Sequence, residues 1–317
     1  MNDELTFGDF IQPFFSIECP RLKRKKRGGR NYSPRYIAEQ RRLLMCFIMK
    51  DEMLCINPVN NLKRTDIDRF IDRLIEEQGF CKTSQAVVAL LKLLLKELYI
   101  FDYIEKDLTK AITPIYYEER ERGILTIPEI KEYLKSTHYE SLLERTFFTL
   151  AFECGLRRGE ILALKWSDVD FETKQISINR AWKNRVELGP PKNGKARVSW
   201  LPQLSEQLLL QYRNTKFYTD GFIFPGIKNE LRLGETWVRN HFIKIMQRMD
   251  IDYKKRNICF HSLRHSLKSY LESCGLSAEF QKMLFGWSGL SAESMSRRYT
   301  HLDVTTLQER LSACSLL

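Results

Sequence analysis

The chain has 317 residues, with 51 Lys and Arg against 40 Asp and Glu, a net charge of +11 and 43% hydrophobic residues, which predicts two ordinary domains and a polyanionic partner, most simply nucleic acid. No apolar run reaches membrane-spanning length and the acidic start MNDELTFGDF is not a signal peptide, so an intracellular protein without a membrane partner is expected. The cysteines Cys19, Cys46, Cys55, Cys81, Cys154, Cys259, Cys274 and Cys314 form no CxxC pair, which argues against zinc and predicts reduced core thiols.

Residues 1–32 read as a basic N-terminal segment. Phe7, Phe10, Ile11, Phe14 and Phe15 recur at nearly helical spacing and are expected to pack on the domain. Seven of the ten residues in RLKRKKRGGR, 21–30, are Lys or Arg and none is acidic. Such a run is expected to be flexible and solvated, with Lys23, Arg24, Lys25, Lys26 and Arg27 available to phosphates; a targeting signal is the weaker alternative. Residues 33–105 read as a compact helical domain with basic outer faces. Its first helix, over 35–50, places Arg35, Arg41 and Arg42 beside an apolar side, as further candidates for DNA contact. Thr65 is expected to cap the next, where Ile67, Phe70, Ile71, Leu74 and Ile75 follow the helical period. A third helix begins near Thr83 or Ser84 and is apolar nearly all round, as the centre of a small bundle would be.

Residues 106–124 break the periodicity, with the Thr113-Pro114 step and a charged run from Glu118 to Arg122, and read as a linker to a second domain over 125–317. Thr126 caps a helix with Pro128 in its first turn. An apolar helix over 140–154 ends at Gly155, and a second follows at once. Arg157 therefore stands at a tight turn that can project a side chain into a cleft, and Glu160, three residues on, can orient it. As an exposed pair the two would be worth little, and spacing leaves open which of Arg157 and Arg158 points inward. Residues 175–182 and 196–202 read as strands of a short antiparallel sheet whose hairpin displays Lys192 and Lys195. Helices are expected over 204–213 and 235–249.

Residues 259–303 read as three short helices. Ser262 can cap the first and Gly275 end it; Ser277 can start the second and Gly286 stop it; Ser291 can start the third, which carries Tyr299. His261 and Arg264 flank a first helical turn, where free N–H groups and the macrodipole favour an anion. Arg264 can grip a phosphate bidentately, His261 can act as acid or base, and Tyr299 can attack phosphorus. No adjoining carboxylate cluster suggests a metal, so arginine cations would have to neutralise the transition state. Each residue alone is ordinary, and the combination carries the weight.

With Arg157, Lys192, His261, Arg264, Trp287 and Tyr299 in that order, the chain resembles the tyrosine recombinases, the phage-integrase and Xer-type family. That family's first box, G-L-R-x-x-E-L-x-x-L-x-W-x-D, stands here as GLRRGEILALKWSD, which assigns the role to Arg157. H-x-L-R-H is HSLRH at 261–265, L-G-(H or W)-S is FGWS at 285–288, and R-Y-x-H is RYTH at 298–301. PKNGK matches the hairpin lysine and favours Lys192 over Lys195. The match covers roughly residues 120–305, and so many ordered boxes rarely coincide. Trp287 stands where most members have His, though its N–H can still donate to a phosphate. Nothing before residue 20 looks like the separate arm-binding domain of many phage integrases.

The resemblance implies a mainly α fold with a small antiparallel β-sheet: an N-terminal helical DNA-binding bundle and a C-terminal catalytic domain that clamp double-stranded DNA. Tyr299 would attack the scissile phosphate to give a 3′-phosphotyrosine, and a 5′-hydroxyl of a partner strand would then reseal it, without cofactor or metal. Arg157 and Arg264 would bind the non-bridging oxygens, Lys192 would protonate the leaving 5′-oxygen, and His261 would assist proton transfer at Tyr299. Glu160 would buttress the pocket and Trp287 position the phosphate. It further implies a homo-tetramer on two duplexes, a monomer free in solution, and a cytoplasmic place at a prokaryotic nucleoid or a phage origin. The tail with Leu307 and Leu311 docks on a neighbour or folds back on its own domain. Competing readings are a type IB topoisomerase, an inactive DNA-binding protein, and a metal-dependent nuclease, for which Glu153, Glu160, Asp168 and Asp170 make a poor set.

Overall fold

Two units divide the chain, Met1–Arg120 and Glu121–Leu317. The computed structural model describes residues 5–16, 19–29, 32–110, 112–192, 194, 196–215, 221–226 and 232–286.

In the first unit the helices are α1 (Phe7–Ile11), α2 (Pro20–Arg27), α3 (Pro34–Leu43, running into a π-helical turn at Leu44–Ile48), α4 (Glu52–Cys55), α5 (Arg64–Gln78) and α6 (Lys82–Ile100). Helix α6 is the one that is apolar nearly all round, and Val87, Val88, Leu91, Leu94, Leu95 and Leu98 are buried along it. Phe7, Ile11, Phe14 and Phe15 join the same core, so the N-terminal aromatics do pack on this unit. Helix α5 starts earlier than a Thr65 cap would allow. Asp66 reaches back to accept the Lys63 N–H at 2.9 Å, which makes Lys63 the N-cap.

The basic run is helical rather than free. Pro20 opens α2, where its missing N–H costs nothing. Glu97, fully buried on α6, then holds the helix down: its carboxylate accepts from Arg21 at 2.5 Å and from Arg24 at 2.6 and 2.7 Å. The Arg24 guanidinium also lies 5.2 Å from the Phe101 ring centroid. A buried carboxylate is tolerated only with partners of this kind. Elsewhere, Arg41 donates to the Gln12 and Phe14 carbonyls, and Arg42 pairs with Glu39 one turn away. Lys23, Lys26, Arg27 and Arg35 are exposed, and Lys25 is half-buried.

The second unit contains α7 (Ile127–Tyr133), α8 (Leu142–Glu153), α9 (Arg158–Ile161), β1 (Val169–Asp170), β2 (Gln175–Ile178), β3 (Ala181–Trp182), β4 (Leu188–Gly189), β5 (Arg197–Trp200), α10 (Gln203–Asn214), α11 (Glu235–Arg248), α12 (Phe260–Ser273) and α13 (Ala278–Phe285). Thr126 caps α7 in a reciprocal box with Glu129. Helix α8 packs against α10 and α12, and Phe147, Phe148 and Phe152 bury its apolar faces. Strands β1, β2 and β5 form one antiparallel sheet, with Gln175 opposite Trp200 and Ile178 opposite Arg197. The expected strand over 175–182 breaks in two. Arg180 turns to the buried Asp168 at 2.7 Å, and the Trp182 indole N–H donates to the Leu162 carbonyl at 3.2 Å. Residues 181–182 therefore leave the sheet and pair with 188–189 as a second small ladder. Among the described residues no helix is long and apolar enough to cross a membrane.

Glu97→Ala removes the carboxylate that holds Arg21 and Arg24 and leaves Arg21 the Tyr32 hydroxyl at 3.3 Å. The expected cost is about 2 kcal/mol, below the ~3–5 kcal/mol of a fully buried pair because Arg24 reaches water. Urea unfolding of the variant checks this; unchanged stability would show that Glu97 does not anchor α2.

Candidate active site

The turn after α8 sets the site. Gly155 has φ +56°, and a Cβ there would lie 2.5 Å from Phe285 Cε1, so glycine is required by backbone and by space alike. The chain then extends through Leu156 to Arg157, the N-cap of α9 (φ −72°, ψ 151°). The Arg157 N–H donates to Glu160 Oε2 at 2.9 Å, and its Nη1 donates to Oε1 at 2.8 Å. Arg158 points the other way and pairs at the surface with Glu235 at 3.0 Å.

Glu160 has no exposed side-chain surface and meets a second cation. From β5, Arg197 donates Nη1 to Oε1 at 2.9 Å and Nη2 to Oε2 at 2.8 Å, while its Nε donates to the Leu284 carbonyl at 3.1 Å. Burial pushes the Glu160 carboxyl up. The hydrogen bonds and charge of Arg197, with the N–H and charge of Arg157, outweigh it and hold the pKa at about 2. Glu160 is therefore ionised throughout the physiological range.

Helix α12 supplies the other half. Its N-cap is Cys259, not Ser262. Ser262 sits at the third helical position and accepts the Cys259 N–H at 3.1 Å, which places His261 inside the first turn. Arg122 donates to Cys259 Sγ at 2.8 Å, and Ser266 accepts the Leu125 N–H at 2.8 Å, tying the start of this unit to α12. Arg264 is 2% exposed. It donates Nη1 to the Gly155 carbonyl at 2.6 Å and Nη2 to the Phe285 carbonyl, and its guanidinium lies 4.7 Å from the Phe285 ring centroid. Burial, then the charges of Arg157 and Arg197, lower its pKa to about 9 against the pull of Glu160.

His261 is half-buried, with its ring edge-on to His265 at 4.8 Å. Burial first, then His265, Arg264, Arg122 and Arg157, depress its pKa to about 4. It is neutral at pH 7 and so able to accept a proton. Arg157 and Arg197 bond the one carboxylate, which Arg264 feels only through its charge, and the uncompensated positive charge is suited to a phosphate.

The structure brings together Arg157, Glu160, His261 and Arg264. Lys192 is exposed on a turn closed by the Gly194 N–H on the Pro191 carbonyl at 2.7 Å. Lys195, Trp287, Tyr299, the helix expected from Ser291, and Leu307 and Leu311 lie outside the described residues. Sequence reading missed Arg197, whose carboxylate partner lies 37 residues away. Its only local signal is a cation in a four-residue strand beside the hairpin lysine. Among the described residues Glu140, Glu144 and His241 bring possible metal-ligand atoms within 4.8 Å of one another. Arg248 already pairs with Glu140 and lies 3.7 Å from Glu144, and Lys244 lies 3.6 Å from Glu140, so both carboxylates are compensated.

The sequence model of the phage integrase family matches residues 124–306. A tyrosine recombinase XerC-like protein of Caldanaerobacter subterraneus subsp. tengcongensis is 26% identical over 94% of this chain and 80% of its own length. Among solved structures, the Tn1549 transposon integrase in complex with a circular intermediate DNA aligns with a TM-score of 0.70, at 17% identity over 97% of this chain and 99% of that one. A lambda integrase tetramer bound to a Holliday junction aligns with a TM-score of 0.66, at 16% identity over 90% and 79%.

The His261 imidazole is expected to titrate near pH 4 by NMR. Its folded value lies below the ordinary 6.5, so the stability it confers is full above pH 6.5 and is lost as pH falls toward 4. His261→Gln should flatten that acid slope in unfolding measurements, and a midpoint at or above 6.5 would show that the ring is not held neutral.

Proposed function

This chain belongs to the phage integrase family and is a tyrosine recombinase that cleaves and rejoins DNA; on that premise we propose that Arg157, Lys192, His261, Arg264, Trp287 and Tyr299 form its active site. The observation that carries this reading is the convergence of Arg157, Arg264 and neutral His261, with Arg157 held by the buried Glu160. Two guanidiniums take the non-bridging oxygens of the scissile phosphate and stabilise the charge of the pentacoordinate state. Tyr299 attacks phosphorus and passes its proton toward His261. Lys192 protonates the departing 5′-oxygen from its hairpin. Trp287 donates its indole N–H to a phosphate oxygen. The resulting 3′-phosphotyrosine conserves the bond energy until a 5′-hydroxyl of the partner strand attacks it. No ATP is needed.

The division of labour follows. Residues 33–105, with α1 and α2 packed on them, form the helical DNA-binding domain, 106–124 the linker and 125–317 the catalytic domain. The exposed Lys23, Lys26, Arg27 and Arg35 contact backbone phosphates, in a salt-dependent and sequence-independent way. Strand exchange joins two duplexes and so calls for a homo-tetramer assembled from monomers on DNA; the likeness to lambda integrase, solved as a tetramer on a Holliday junction, supports this. Such an enzyme works in the cytoplasm, at the nucleoid, on chromosomal or mobile-element DNA.

Incubation with a nicked duplex carrying the attachment sequence, in EDTA, followed by a denaturing gel, tests the chemistry. Wild type should give a covalent band, and Tyr299→Phe should bind the duplex without one. Arg157→Ala should slow adduct formation about 10²–10³-fold, by analogy with loss of one oxyanion donor. Adduct in Tyr299→Phe would mean a different nucleophile.

A further inference from the structure

Glu160 Oε1 receives Nη1 of Arg157 and Nη1 of Arg197; Oε2 receives the Arg157 N–H and Nη2 of Arg197. An ionised carboxylate offers about four lone-pair sites, and here four donors take them. Arg157 therefore meets a carboxylate whose orientation Arg197 already fixes. The Arg197–Glu160 contact is two-pronged and buried, with 8% and 0% of the side chains exposed, the geometry in which an ion pair is strong and directional.

Arg197 also reaches a third element. Its Nε holds the Leu284 carbonyl, while Arg264 holds the next carbonyl, that of Phe285. These are among the last carbonyls of α13, which lack partners within the helix and favour cations. Gly286 follows at φ +60°, and a Cβ there would come within 2.8 Å of Arg197 Cδ. The next residue is Trp287, and Lys192 lies five residues before Arg197 in the chain. One guanidinium thus joins the strand after the lysine hairpin, the Arg157 turn and the helix end that leads to the nucleophile.

We infer that Arg197 is a positioning residue of the recombination reaction, which aligns Arg157 through Glu160 and fixes the end of α13 for phosphate cleavage. The inference rests on the active-site reading above. Arg197 gives three of its five N–H groups to protein acceptors and, with 8% of its side chain exposed, acts through its neighbours rather than on the substrate.

A merely structural arginine would lower cleavage equally at every pH. A positioning role through Glu160 gives another result. The charges that face Glu160 are Arg157 from the α9 turn, Arg197 from β5 and, at longer range, Arg264 from α12. Without Arg197, burial of the carboxylate is poorly opposed and its pKa rises. Glu160 then protonates as pH falls and releases Arg157.

The test measures adduct formation on saturating nicked duplex from pH 5.5 to 9, with thermal melts to confirm folding. Arg197→Met should bind the duplex as wild type does. Its cleavage should fall about 10²-fold at the acid end, the scale of a misplaced catalytic group, and recover as pH rises. Arg197→Lys should restore most of the rate, and Arg197→Met with Glu160→Gln should be slow and lose the new pH dependence. If the Met variant does not fold, the Lys variant should show the same acid limb in weaker form. A uniform loss across pH, or no loss, overturns the positioning role while leaving the recombinase reading intact. No adduct from wild type overturns that reading and this inference with it.

Discussion

A buried carboxylate shared by two arginines is the constraint on which the catalytic unit depends. Glu160 lies wholly beneath the surface, and an isolated charge there would be costly. Arg157 and Arg197 meet it from a helix turn and from a strand, and their combined effect holds it ionised with a pKa of about 2. The exchange works in both directions. The carboxylate compensates cations that must crowd together, and the cations make the carboxylate possible. Because both contacts have fixed geometry, Arg157 does not wander as a solvated arginine would.

Around that centre the protein assembles surplus positive charge. Arg264 is fastened between the Gly155 and Phe285 carbonyls, and its pKa of about 9 reflects burial and two neighbouring guanidiniums. A phosphate entering such a site relieves repulsion already present, and the donors need little reorganisation as charge develops. His261 belongs to the same field. Burial and the neighbouring cations keep the imidazole neutral, so in the proposed mechanism one electrostatic arrangement serves both as anion hole and as proton acceptor.

Much of this was legible in the sequence because local rules applied. The apolar run of α6, the glycine after α8 and the cap at Thr126 each use near neighbours, and each forms the expected structure. The pairing of Glu160 with the turn was legible at a spacing of three, while the choice of Arg157 over Arg158 came from the family resemblance. What escaped lies in contacts between distant residues. Glu97 pins α2 through partners more than seventy residues away, so a basic run that looks solvated becomes a docked helix. Trp182 leaves the sheet for a carbonyl twenty residues back. Arg197 has no local mark beyond being a cation in a short strand. Helix starts moved for a subtler reason: at α5 and α12 the capping side chain stands three residues inside the helix and reaches back, where the sequence suggested a cap in front.

The central claim is that these groups serve one nucleophile, Tyr299. The most direct measurement maps the covalent complex. Wild-type protein is trapped on a nicked duplex, digested with nuclease and trypsin, and its peptides are weighed by mass spectrometry. The peptide spanning residues 299–310 should carry the nucleotide mass on Tyr299, and the cleaved DNA should expose a 5′-hydroxyl. Nucleotide on any other peptide, or a 5′ linkage, would contradict the account.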